Sequence, residues 1–135
     1  MGGNGGAGAG GGGGAARTVT ASGVTYTVEP VKFGHTLVTV STAKLDAAWS
    51  KDSAYYIPPG GGGAQIGDRR DRFATFLAST TKPIIAPVVT LTSGGKIAFE
   101  NGRHRFSALR DQGKQKVVVS VPNGAAGRLR RSLGP

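Results

Sequence analysis

Five consecutive residues, Asn101-Gly102-Arg103-His104-Arg105, bring two guanidinium groups, an imidazole and a permissive backbone position into one short segment. That combination suits an oxyanion. An arginine fork donates two parallel hydrogen bonds to a phosphate. A helix opening just after Gly102 adds N–H groups with no internal partner and the positive end of its dipole. Three basic side chains in a first helical turn oppose that dipole, so a sequence that keeps them there is suited to holding an anion. Arg110 offers a further cation behind them. Glu100 and His104 are the candidate catalytic groups: Glu100 as a Mg²⁺ ligand or base, His104 as acid, base or phosphate donor. Phosphoryl transfer rests mainly on positioning and charge neutralisation, commonly with a metal ion. The plainer alternative for Glu100 is a surface strand residue.

These residues need a scaffold, and the flanking sequence supplies one. Pro87–Thr92 reads as a strand, Gly94-Gly95 as a two-residue turn and Lys96–Glu100 as the antiparallel return. Asn101-Gly102 breaks the strand. Arg103–Gln112 then reads as a helix with Phe106 and Leu109 inward, ended by Gly113 in the left-handed position. Lys116–Val121 is apolar enough to be a central strand, parallel to a neighbour across the helix. Upstream, Arg17–Val40 alternates β-branched and polar residues in the manner of strands. Ser41 or Thr42 caps a short helix over Ala43–Trp49, with Leu45 and Trp49 on one face. Pro58–Gly63 is a loop on composition, without the spacing of a phosphate-binding P-loop. Asp68 offers an N-cap for a helix reaching about Ser79, with Phe73, Phe76 and Leu77 as its apolar stripe. Its Arg69, Arg70 and Arg72 either contact phosphate or form a solvated face beside Asp68 and Asp71.

The chain of 135 residues therefore divides into a Gly-rich flexible tail at 1–16, one folded domain at 17–122 and a basic flexible tail at 123–135. The first segment has almost nothing to bury against the entropy of ordering glycine. The formal net charge is +10. Residues 101–135 hold eight basic side chains and one acid, whereas residues 1–100 hold nine and six. A basic end of this kind draws in nucleotides, nucleic acid or acidic protein, or else forms a solvated face. Arg128, Arg130 and Arg131 are the candidate nucleic-acid contacts. With no cysteine, thiolate metal sites, disulfides and cysteine nucleophiles are excluded. No apolar run is long enough to span a bilayer and no secretory pattern opens the chain. There is no HExxH or GxSxG, so metal- or serine-dependent hydrolysis has no support. The expectation is a soluble protein of the cytoplasm or of a phage particle.

The run IAFENGRHRFSALRDQG, followed by the strand KVVVSV and preceded by IIAPVVTL, resembles the superfamily of ParB partition proteins, sulfiredoxins and related free-serine kinases. The resemblance covers residues 83–121 well and 36–80 loosely. It implies an α/β (α+β) fold, a small mixed sheet with a β-hairpin and a following helix. It also implies that Gly102, Arg103, His104 and Arg105 grip nucleotide phosphates; Mg²⁺ with the nucleotide is the cofactor that phosphoryl transfer commonly calls for. Sulfiredoxins carry a catalytic cysteine where this chain has Arg103, so their chemistry is excluded. ParB partition proteins carry a helix-turn-helix domain after this one, for which the remaining residues leave no room. The function expected is binding of nucleotide or nucleic-acid phosphate by a ParB-like domain, with nucleotidase or nuclease activity left open. The alternative is a non-catalytic structural or interaction protein of a phage or mobile element, using its two arms to contact nucleic acid, a protein partner or further copies of itself.

Overall fold

The computed structural model describes residues 18–29, 33–92 and 94–135. The segment 1–16, read as a flexible tail, lies outside the described residues. Thr18–Ala21 (β1) and Val24–Thr27 (β2) form an antiparallel hairpin, and Ile84–Ile85 (β4) adds to β2 in parallel. A second sheet holds His35–Ser41 (β3), Lys116–Pro122 (β7), Val88–Leu91 (β5) and Ile97–Asn101 (β6), in the order β3-β7-β5-β6. Mixed α+β architecture is thus present, with two small sheets in place of the one expected.

The strand β7 is central, as its run of valines implies. It pairs antiparallel with β3 from His35↔Pro122 to Ser41↔Lys116, and parallel with β5 at Val88↔Ser120. Val117 through Val121 are all buried, which is what coverage of both faces requires. The β5–β6 hairpin is less regular than matched arms would be. Val89 faces Phe99 but Val88 faces Asn101, so Glu100 is the extra residue of a β-bulge. A bulge of this kind re-aims the chain just where the helix must begin.

Helix α1, Thr42–Trp49, starts where Ser41 Oγ accepts the Lys44 N–H at 3.3 Å, and it buries Leu45 and Trp49. Helix α2, Arg69–Ser79, starts after Asp68, but the Asp68 carboxylate makes no capping bond. It pairs instead with Arg72 at 3.0 Å. Helix α3 spans Arg103–Asp111 and buries Phe106, Ser107, Ala108 and Leu109. An aromatic cluster holds it in place. Trp49 meets Tyr56, Phe99 and Phe106 edge-on at centroid distances of 4.8, 4.7 and 5.7 Å, and Phe99 stacks on Phe106 at 5.3 Å.

The segment 123–135 is not a flexible tail. A single 3₁₀ turn at Asn123–Ala125 leads into helix α4, Ala126–Leu133. Ala126, Leu129 and Leu133 fall at i, i+3 and i+7, forming one stripe that is buried in the core beside β3. Lys44 Nζ donates to the Gly134 carbonyl at 3.0 Å and ties the helix end to α1. The folded domain therefore extends beyond Pro122.

Candidate functional site

Gly102 sits at φ 86°, in the left-handed region, and serves as the N-cap of α3. A Cβ there would lie 2.8 Å from Pro87 Cα, so both backbone conformation and space demand glycine. The turn delivers Arg103, His104 and Arg105 into the first turn of α3. No side chain caps that turn and no acidic residue occupies it. The N–H groups and dipole at this end are therefore left for a ligand or for water.

The three side chains are oriented by neighbouring backbone. Arg103 donates from Nη2 to the Ala64 carbonyl at 3.2 Å and lies over the Tyr55 ring, 5.5 Å from its centroid. Its Nε is buried without a hydrogen-bond partner among the described residues. Arg105 donates to the Ile85 carbonyl at 2.5 Å. Burial lowers its pKa, with Glu29 acting in the opposite direction. His104 accepts the Ile66 N–H at Nε2, 2.8 Å away, which requires the neutral ring with its proton on Nδ1. Burial, then the charges of Arg103 and Arg69, hold its pKa below the ordinary histidine value. The lone pair a general base would use at Nε2 already accepts a hydrogen bond. Glu100 is exposed on the bulge beside this turn.

Arg110 is elsewhere in function. The sequence placed it behind the phosphate, but it is the centre of a structural network. Its side chain is only 7% exposed and donates to Asp46 at 2.9 Å, Asp111 at 2.8 Å, the Ile57 and Pro58 carbonyls at 2.6 and 2.8 Å, and Ser107 Oγ at 3.2 Å. Burial opposes its charge, but Asp111 and Asp46 outweigh that and raise its pKa. Burial alone would raise the Asp111 pKa. Hydrogen bonds from Arg110 and Arg70 reverse this and hold it below the usual carboxylate value. No donor of this guanidinium faces an incoming anion, so Arg110 is a clamp and not a ligand.

The clamp fixes the loop from Asp52 to Gly67 across α3. Besides Arg110, the Gly60 N–H bonds Asp111 at 3.1 Å, and Gly63 packs so closely that a Cβ would fall 2.5 Å from the Tyr56 carbonyl. The same loop presents the Ala64 carbonyl and Ile66 N–H to the motif. Composition marks it as a loop but gives no hint of where it docks. It also brings Tyr55 over Arg103, a contact that nothing in the sequence pattern shows.

Of the three arginines opening α2, Arg70 is paired with Asp71 and with Asp111 at 3.0 Å, and Arg72 with Asp68. Arg69 makes no ion pair among the described residues, is exposed, and is close enough to depress the His104 pKa. It joins Arg103 and Arg105 as a third cation at the site. Arg128, Arg130 and Arg131 belong to α4, which packs on β3, apart from this turn. Among the described residues no group of three or more His, Asp or Glu side chains is placed to hold a metal ion. No helix of the described residues is long and apolar enough to cross a membrane. A shallow cleft of about 130 Å³, lined by Thr25, Leu77, Lys82, Gln112 and Lys114 among others, lies at the opposite end of α3. Helix C-termini there favour cations, so it is not the counterpart of the anion site.

Neither the protein-family models nor the curated proteins contain a match to this chain. Among solved structures, the chain is similar to a crystal structure of Oncogenic Suppression Activity Protein, a plasmid fertility inhibition factor. The TM-score is 0.60 at 16% sequence identity, covering 82% of this chain and 63% of that one. At this identity the likeness shows a shared fold, and the chain spans less than two thirds of that protein's length.

Proposed function

We propose that this chain is a phosphate-binding domain that takes a nucleotide or nucleic-acid phosphate at the start of α3. The observation that carries the reading is the uncapped, acid-free first turn at Gly102, where Arg103, His104 and Arg105 sit together. The backbone N–H groups and two guanidinium forks are the donor set a phosphate prefers. Arg69 adds a third positive charge. Any magnesium would arrive as the ion of a nucleotide complex; among the described residues no group of three or more His, Asp or Glu is placed to hold it alone. Glu100, exposed on the bulge just before the turn, is the carboxylate nearest the motif in sequence.

A second reading, binding without turnover, is favoured by one specific contact. His104 Nε2 accepts the Ile66 N–H, so it serves to hold the loop.

The test is calorimetric titration of ATP, ADP, CTP and GTP with Mg²⁺ into the wild type and an Arg103→Ala/Arg105→Ala variant whose fold is checked by circular dichroism. One nucleotide should bind the wild type and lose at least roughly tenfold in affinity in the variant, the loss of one to two charge-assisted bonds. If none of the four binds, the nucleotide reading falls, and if the Arg103→Ala/Arg105→Ala variant also binds a DNA duplex as well as the wild type does, the whole proposal falls. Turnover measured on the nucleotide that binds separates the first reading from the second.

A further inference from the structure

Helix α4 carries a second charged feature, separate from the α3 site. Arg128, Arg130 and Arg131 are exposed, and none makes an ion pair among the described residues. No acidic residue follows Asp111 in the chain. Arg130 and Arg131 in the last turn complement the helix dipole, which accounts for part of this pattern. Arg128 lies in the first turn, where the dipole opposes it, so dipole complementarity does not explain the whole set. Lys44 is held at the end of the helix through the Gly134 carbonyl and adds a fourth positive charge.

A short basic amphipathic helix has two common partners, an anionic membrane and nucleic acid. Membrane binding needs a free apolar face. Here that face, Ala126, Leu129 and Leu133, is buried in the domain core. The exposed face has Gly127, Ser132 and the arginines, with no aromatic side chain to stack on unpaired bases. Its chemistry is guanidinium groups that donate hydrogen bonds to phosphate, with Arg128 and Arg131 three residues apart on one face. We infer that the outer face of α4, with Lys44, is a contact surface for the phosphate backbone of a nucleic-acid duplex. This goes beyond the α3 proposal and does not require it, because α4 packs on β3 while α3 packs on α1 and α2.

The experiment is fluorescence anisotropy of a labelled 24-base-pair DNA duplex across a series of NaCl concentrations. It compares wild type, Arg128→Gln/Arg130→Gln/Arg131→Gln and the matching triple Arg→Lys variant. The Gln variant should bind roughly tenfold or more weakly, with a log affinity against log salt slope shallower by about 2–3, one condensed counterion per lost contact. The Lys variant should restore most of the slope. The arginines are exposed, so all three proteins should stay folded, with melting temperatures within about 5 °C of one another. An unchanged slope in the Gln variant overturns the inference. So does equal binding of anionic lipid vesicles by a wild type that ignores the duplex. Loss of duplex binding only in the Arg103→Ala/Arg105→Ala protein also overturns it, and would assign nucleic acid to α3. Nucleotide binding retained by the α4 variant keeps the two proposals distinguishable.

Discussion

Replacing Arg110 should weaken the fold before it affects any ligand. The side chain spans the loop, α1 and α3 through Asp46, Asp111 and the carbonyls of Ile57 and Pro58. Arg110→Ala leaves the Ile57 and Pro58 carbonyls without this donor and strips Asp46 and Asp111 of their shared cation, leaving Asp46 with the Tyr56 hydroxyl and Asp111 with Arg70 and the Gly60 N–H. Breaking a buried ion pair by removing one partner costs about 3–5 kcal/mol. The Asp46 and Asp111 side chains are 21% and 15% exposed and regain some water. The lower end, about 3 kcal/mol, is therefore expected. A domain of this size has total stability of roughly 5–15 kcal/mol and a urea m-value near 1–1.5 kcal/mol/M. The urea midpoint should fall by about 2–3 M. Arg110→Lys keeps the charge but not the fork, and should lose about half as much. Urea unfolding followed by Trp49 fluorescence reads the difference directly. A midpoint shift below about 0.5 M for Arg110→Ala, with phosphate affinity reduced, would refute the clamp and restore Arg110 as a ligand.

Two further outcomes follow from the turn at α3. Gly102→Ala should destabilise by roughly 2–3 kcal/mol, combining left-handed backbone strain with the 2.8 Å approach to Pro87 Cα. Thermal unfolding checks this, and a loss under about 0.5 kcal/mol counts against the turn geometry. His104 sets an acid-side dependence. Its folded pKa lies below the ordinary histidine value because burial and the charges of Arg103 and Arg69 disfavour the imidazolium, so the fold favours the neutral ring. That stabilisation is complete above about pH 6.5 and fades as pH falls through the lower folded value. Wild-type stability should drop across that window and His104→Gln should flatten the drop. Equal pH profiles for the two proteins would contradict the Ile66 hydrogen bond.

Much of this architecture was legible because it is local. The Gly94-Gly95 turn between two strand-like runs marked β5 and β6, Gly102 and Gly113 bracketed α3, and the valines of Lys116–Val121 announced a central strand. What stayed hidden depends on separation in sequence. Arg110 meets Asp46 from 64 residues away, and Gly60 meets Asp111 from 51. Nothing in the spacing of either pair reveals the contact, and an arginine just past a phosphate motif is naturally read as part of it. Helix α4 is a different case. Its Ala126, Leu129 and Leu133 stripe was present in the sequence, but only eight residues long and surrounded by arginine and glycine. An isolated helix of that length is unstable in water, and tertiary burial supplies what its propensity lacks.

The loop over α3 divides into a fixed part and a part that can yield, and this decides how a phosphate could enter. Ile57, Pro58 and Gly60 are held by Arg110 and Asp111. Ala64 and Ile66 touch the motif through one hydrogen bond each, to Arg103 and His104. An anion arriving at the first turn competes only with the second pair. Releasing two such bonds costs about 1 kcal/mol each, whereas each bond to a phosphate from an arginine is worth about 1.5–3. Three new bonds outweigh the two lost without disturbing the clamp. The two arginine classes should therefore fail differently. Without Arg110 the loop loses its central anchor and the fold weakens, while without Arg103 and Arg105 the protein stays folded and the phosphate loses its two guanidinium forks.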